Sequence, residues 1–215
     1  MSEETQLRER ICVFAASLYA RGLTHGSTGN ISARLDDGRL LVTPTGGSFG
    51  FLDPARLSVL SAEGRHLDGD APTKEVPLHT GFYAARKGAA GAVVHLHSHH
   101  AVHLSLLPDI DPDSALPALT PYAFMQLGHV RLLPYFRPGD PAMGEAVRAL
   151  DCNTSAVILA NHGPVVSAQD LDRAVFAMEE LEASARLVVE TRGQSVRGLT
   201  TSQISDLVRS FGVEV

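Results

Sequence analysis

Gly91-Ala92-Val93-Val94-His95-Leu96-His97 is an apolar run that ends in a His-x-His pair. Side chains alternate across a strand with period two, so a buried strand here carries His95 and His97 on one face. Two further candidates lie elsewhere in the chain: Glu75 in Thr73-Lys74-Glu75, and His162 in Asn161-His162-Gly163. Three imidazoles and one carboxylate suit a borderline divalent cation such as zinc. An exchangeable ligand among the four marks such a site as catalytic rather than structural. The pattern points to a metal-dependent lyase.

Working outward, the strand at 91–96 is flanked by helical patterns. Residues 75–87 read as a helix with Thr73 as its N-cap, and 97–107 as a second helix stopped by Pro108. Upstream, Leu7, Ile11, Phe14, Ala15 and Leu18 recur at helical spacing over 3–21, with Gly22 as a C-terminal cap. Strands are expected at 31–35 and 39–43 around the Asp37-Gly38 turn, and a short hairpin at 57–61 and 65–67. Downstream, 122–127 leads into a strand at 130–133, then a helix at 142–150. Strands at 155–159 and 164–167 flank Asn161-His162-Gly163, and a long amphipathic helix spans about 171–191. Residues 200–215 carry a weaker helical pattern that packs on a neighbour or frays. No repeat or linker divides the 215 residues, which read as one mixed α/β domain, 1–215.

Composition excludes several functions. The net charge of −6 and the lack of a long basic run argue against nucleic acid or an anionic membrane as partner. The charged N-terminus lacks a signal-peptide core, and no stretch approaches the roughly 20 apolar residues that span a bilayer. The expected compartment is the cytoplasm. Cys12 and Cys152 belong to no metal or redox spacing and read as buried reduced thiols.

A lone histidine on an apolar strand is usually a core or surface residue. Four imidazoles within His95-Leu96-His97-Ser98-His99-His100 make chance a poor explanation. His99, His100 and His103 fall past the strand end and read as outer or solvent-facing groups. His79 follows Glu75 by one helical turn and is placed to orient it. His25, His66 and His129 have no claim on the metal.

These residues carry a resemblance. Thr28-Gly29-Asn30-Ile31-Ser32-x-Arg34, Thr43-Pro44-Thr45-Gly46, Glu75 with His79, His95-x-His97 and Asn161-His162-Gly163 occur in the order seen in the class II aldolase/adducin superfamily. The resemblance runs from about Leu7 to Leu187. It implies a three-layer α/β/α domain with a central, mainly antiparallel sheet, commonly assembled as a homotetramer. It also implies one zinc per subunit, or another divalent ion, on His95, His97 and His162. Glu75 is then both a displaceable ligand and the catalytic acid/base.

The resemblance also gives meaning to two small-residue loops that alone would pass as turns. Glycine lets backbone N–H groups approach a phosphate, and Thr28, Gly29, Asn30, Thr45 and Gly46 match the family's phosphate positions. Thr73 and Lys74, near the N-terminus of the Glu75 helix, complete the set. Aldolases of the fuculose-phosphate type usually have two serines where this chain has Thr73-Lys74. Lys74 either accommodates the extra carboxylate of a phosphorylated sugar acid or points outward into solvent.

Leu116–Tyr122, Gly128 and Leu133–Asp140, with Pro72–His79, are similar to the 3-oxo-tetronate 4-phosphate decarboxylase branch. That branch implies loss of carbon dioxide from a β-keto acid in four-carbon acid sugar catabolism, leaving a metal-bound enediolate that is protonated to dihydroxyacetone phosphate. Tyr122 matches a tyrosine that aldolases present across a subunit interface, either as a second proton donor or as interfacial packing. Arg137 is a weak candidate for the substrate carboxylate, equally suited to a turn. An aldolase acting on fuculose phosphate or ribulose phosphate is the runner-up, with a ribulose 5-phosphate epimerase behind it. An adducin-like scaffold is disfavoured, because all four metal ligands are present.

Overall fold

The His-x-His strand lies inside an eight-stranded sheet. A computed structural model of the chain describes residues 2–213. In chain order the elements are α1 (Glu3–Ala20), β1 (Asn30–Arg34), β2 (Leu40–Val42), β3 (Ser58–Leu60), β4 (His66–Asp68), α2 (Val76–Ala85), β5 (Ala92–His95), α3 (His99–Ser105) and α4 (Pro121–Leu127). β6 (Arg131–Leu133), α5 (Pro141–Arg148), β7 (Ala156–Leu159), β8 (Gly163–Ala168), α6 (Leu171–Glu190) and α7 (Thr201–Phe211) follow. The sheet order is β4-β3-β2-β1-β5-β8-β7-β6. Every pairing is antiparallel except β6 with β7.

The period-two reading of β5 explains the layers. Ala92, Val94 and Leu96 enter a core shared with α1, α3 and α6. Val93 enters a second core on the opposite face, built with Leu78 and Phe82 of α2 and Met143 and Val147 of α5. The result is the expected α/β/α sandwich around a mainly antiparallel sheet. Leu78 and Phe82 are fully buried. Each contributes roughly 1.5–3 kcal/mol, which clamps α2 to the sheet and sets the position of Glu75 at its start.

Some local expectations change. Thr73 does not cap α2: the N-cap is Glu75, whose backbone is not helical, and the helix begins at Val76. Thr73 Oγ1 instead accepts the Glu75 backbone N–H at 3.2 Å. The segment at 122–127 is the helix α4, with Pro121 in its first turn and Thr120 capping Ala123 N–H. The C-terminal pattern forms a regular helix, α7, held by a capping box of Thr200 and Gln203. Cys152 is exposed, because it lies in the turn after α5 and not in an element that faces a core. Cys12 is half-buried, and burial, with Asp53 adding, pushes its thiol up to about 11. Among the described residues no helix is long and apolar enough to cross a membrane.

Candidate active site and metal centre

His95 ends β5, fully buried, on the same face as Val93. That face looks toward α2, so strand parity delivers the imidazole to Glu75. His97 lies two residues on, just past the ladder, with its ring centroid 5.0 Å from that of His95. His162 arrives from the turn between β7 and β8, and its ring is 4.8 Å from both. Antiparallel pairing of β8 with β5 makes this turn a neighbour of the His-x-His strand end.

The approach depends on Gly163. A Cβ there would meet the Leu96 carbonyl oxygen at 2.3 Å, and its φ of +157° lies at the edge of the range where L residues are strained. Asn161, at φ 58°, makes the preceding left-handed turn, a conformation asparagine tolerates better than most residues. The Asn-His-Gly triplet is therefore a geometric unit that brings His162 against His97.

The four groups converge. One ring nitrogen from each of His95, His97 and His162 lies within 4.8 Å of the others. Glu75 Oε2 is 3.3 Å from His95 Nε2, and Oε1 is 3.3 Å from His162 Nε2. Yet Glu75 Oε1 and His95 Nε2 are buried without a hydrogen-bond partner. Buried polar atoms are rarely left so, and these two point into the space the imidazoles share. His95 Nδ1 lies 2.9 Å from the Pro164 carbonyl oxygen, to which it donates, leaving the Nε2 lone pair facing that space. The donor set fits a divalent cation.

The electrostatics agree. Burial pushes His97 down to about 3 and His162 to about 4, with His95 nearby adding to both shifts. Both rings are neutral at pH 7, the form that binds metal. Burial raises the Glu75 carboxyl, but His95, the Asn30 amide and His162 together outweigh it and hold the group below its usual range.

The same burial makes a stability prediction for the metal-free protein. His79, also pushed down to about 3, joins His97 and His162 in binding protons in the unfolded chain near pH 6.5 but in the folded one only near 3–4. Their neutral burial is fully compatible with folding above pH 6.5, and stability is lost as pH falls from there toward 4. Urea midpoints of the metal-free protein are expected to drop steadily between pH 7 and pH 5. A flat profile across that interval would overturn the assignment.

Asn30 faces His95 in the β1–β5 register. Its amide is committed on both ends: Nδ2 donates to Glu75 Oε2 at 2.8 Å, and Oδ1 lies 2.5 Å from His79 Nε2. So His79 acts on Glu75 through Asn30 rather than by direct side-chain contact. Ser32 and Tyr83 extend this chain behind the site, and sequence reasoning missed both. The available signal was polar residues at core-facing positions: Ser32 shares parity with Asn30 on β1, and Tyr83 follows His79 by one turn of α2.

A cleft of about 310 Å³ opens in front of His97, His162 and Glu75. Thr28, Gly29, Asn30, Thr45, Gly46, Thr73 and Lys74 line it together with Glu75, His97 and His162. At Gly29, φ is +82° and a Cβ would come within 3.0 Å of the His95 carbonyl oxygen, so glycine is required for this loop to sit on the strand. Lys74 is exposed at the rim, beside Pro138. Two expected residues are not brought in. Arg137 is exposed in the turn before Pro138 and does not line the cleft. Tyr122, 66% exposed near the start of α4, does not line the cleft of its own chain. His100 is bound to Glu182 at 2.8 Å, and His99 and His103 are exposed. A larger hollow of about 570 Å³ between α1, α3 and α6 contains none of these imidazoles or loop residues.

Residues 9–189 match the model of the class II aldolase and adducin N-terminal domain family. The chain is 49% identical to the 3-oxo-tetronate 4-phosphate decarboxylase of Cupriavidus necator, covering 87% of this chain and 85% of that one. It is 28% identical to an L-fuculose phosphate aldolase of Haemophilus influenzae, over 96% and 94% of the two chains. Its backbone superposes on the crystal structure of YgbL from Escherichia coli with a TM-score of 0.93 at 42% identity, covering 96% and 99%. This chain belongs to the class II aldolase and adducin family.

Proposed function

We propose that this protein is a metal-dependent carboxy-lyase that converts 3-oxo-tetronate 4-phosphate to dihydroxyacetone phosphate and carbon dioxide, with zinc as the ion. The observation that carries the reading is one cleft in which His97, His162 and Glu75, with His95 buried beside them, meet small-residue loops and a lysine. The 49% identity to a decarboxylase supports the substrate.

In this reading Thr28, Thr45, Thr73 and the backbone at Gly29 and Gly46 bind the phosphate and so fix C4. Lys74 supplies positive charge for a substrate that carries a carboxylate as well as a phosphate. The C1–C2 bond breaks, carbon dioxide leaves, and the electron pair passes into the C3 carbonyl. A divalent cation on the imidazoles supplies Lewis acidity toward negative charge developing on the substrate oxygens. Glu75, protonated from solvent, delivers a proton to C2 to complete dihydroxyacetone phosphate. Asn30 holds the carboxylate on the side of the imidazoles. Tyr122, exposed on α4, is read as serving the cleft of a neighbouring subunit in a homotetramer.

The deciding experiment compares dihydroxyacetone phosphate release by the zinc-loaded protein from 3-oxo-tetronate 4-phosphate and from fuculose 1-phosphate. Preference for the acid, with carbon dioxide evolved, establishes the decarboxylase. Preference for the sugar phosphate makes the protein an aldolase. Lys74→Ser extends the test: loss of a charged contact of roughly 1.5–3 kcal/mol is expected to raise KM for the acid by about 10- to 100-fold. An unchanged KM would place Lys74 in solvent.

A further inference from the structure

We infer that a one-way chain of hydrogen bonds, from Tyr83 through Ser32, His79 and Asn30 to Glu75, sets the orientation of the Glu75 carboxylate, with His79 as its central positioning residue. The inference rests on the reading of Glu75 as the acid/base.

Its direction follows from groups that have no choice. An ionised carboxylate can only accept, so Asn30 Nδ2 must donate to Glu75 Oε2 across 2.8 Å. The same amide then turns Oδ1, a pure acceptor, toward His79 Nε2 at 2.5 Å, so Nε2 carries the ring proton. The His79 ring is 1% exposed and its two nitrogens meet an amide oxygen and a hydroxyl rather than a carboxylate, so it stays neutral and leaves Nδ1 as an acceptor. Ser32 Oγ, 2.7 Å from Nδ1, must donate its single proton there. Tyr83 OH, 2.9 Å from Ser32 Oγ, is then the donor to it. Burial raises the Tyr83 phenol well above its ordinary value, so it retains the proton it donates.

Reversing the chain would set Asn30 Oδ1 against the carboxylate, two acceptors 2.8 Å apart in a buried setting. All five members are buried, with Ser32 at 0% and His79 at 1% exposure. An unmade hydrogen bond is expensive in such surroundings, which gives the chain its fixed sense. Arg34, stacked 4.7 Å over the Tyr83 ring, closes the far end. The metal ligands hold the cation, and this second set holds the acid/base.

The test begins with the zinc-loaded wild type, whose ring ¹⁵N shifts report the His79 tautomer. A single Nε2–H tautomer with a slowly exchanging proton is expected, and an Nδ1–H tautomer would overturn the chain. This readout does not depend on which substrate is used, so it separates failure of the chain from failure of the decarboxylase reading. Kinetics follow. His79→Phe removes the donor to Asn30 and is expected to lower kcat by about 10- to 100-fold, the range for outer partners of metal sites, with KM and zinc content unchanged. His79→Gln, whose amide can still donate, is expected to recover most of that loss. Ser32→Ala takes the donor from Nδ1 and is expected to shift the Nδ1 resonance while Asn30 Oδ1 keeps the proton on Nε2, with a partial fall in kcat. A merely structural role predicts that Gln fares no better than Phe and that Ser32→Ala leaves kcat untouched.

Discussion

Glu75→Gln is expected to lower turnover by roughly 10²- to 10⁴-fold, the range supplied by a positioned acid/base, while the protein stays folded and keeps part of its metal affinity. The substitution preserves shape and leaves an oxygen that Asn30 Nδ2 can still reach. What it removes is the charge and the proton. Glutamine cannot carry a proton to C2, and with its oxygen kept toward Asn30 its amide nitrogen takes the Oε1 place, 3.3 Å from His162 Nε2. A hydrogen bond to that nitrogen would compete with the cation for its lone pair, so affinity falls without vanishing. Stability is expected to hold or rise, since a buried charge is replaced by a neutral group. Steady-state rates and metal content, measured on the same preparation, check both halves. Near-normal kcat would remove Glu75 from the chemistry.

His97→Ala is expected to abolish both tight metal binding and activity, with a fall in turnover of at least about 10³-fold. His97 is the cleanest of the three imidazoles to remove. His95 is fully buried and bonded to the Pro164 carbonyl, so its loss also opens the core. His97 lies beyond the strand ladder and is only partly buried, so its loss acts on the metal alone. Wild-type protein stripped with a chelator is expected to show the same loss and to recover when zinc returns. Bound metal should also raise the unfolding free energy of the wild type by about 2.7 kcal/mol at a hundredfold excess over Kd, and the variant should lack this shift. Full activity with one equivalent of zinc in His97→Ala would sink the triad.

The sequence by itself singled out the candidate metal ligands and the candidate acid/base of this protein. His95 and His97 were legible because ligand-bearing side chains at period-two spacing leave a pattern in one dimension, and Glu75 and the Asn-His-Gly triplet because they match the family's motifs. The helices α1 and α6 were equally plain from their apolar period. The boundaries near the site were not. Thr73 read as a helix cap because it precedes the helix, but the backbone at Glu75 leaves the helical region and makes that residue the cap. Asn30 reads as a phosphate residue because it matches the family's phosphate positions, and only the β1–β5 register shows that its side-chain amide also meets Glu75.

What only the tertiary structure decided was which partner each polar group meets. Ser32, His79 and Tyr83 carry no motif that joins them, and the Pro164 carbonyl has no signature in any sequence. They meet because β1 pairs with β5, β5 pairs with β8, and α2 packs across the face that carries His95. Hydrogen bonds between residues about 50 positions apart are set by strand register and helix packing. Local sequence can specify the donors and acceptors, but burial and register choose among them.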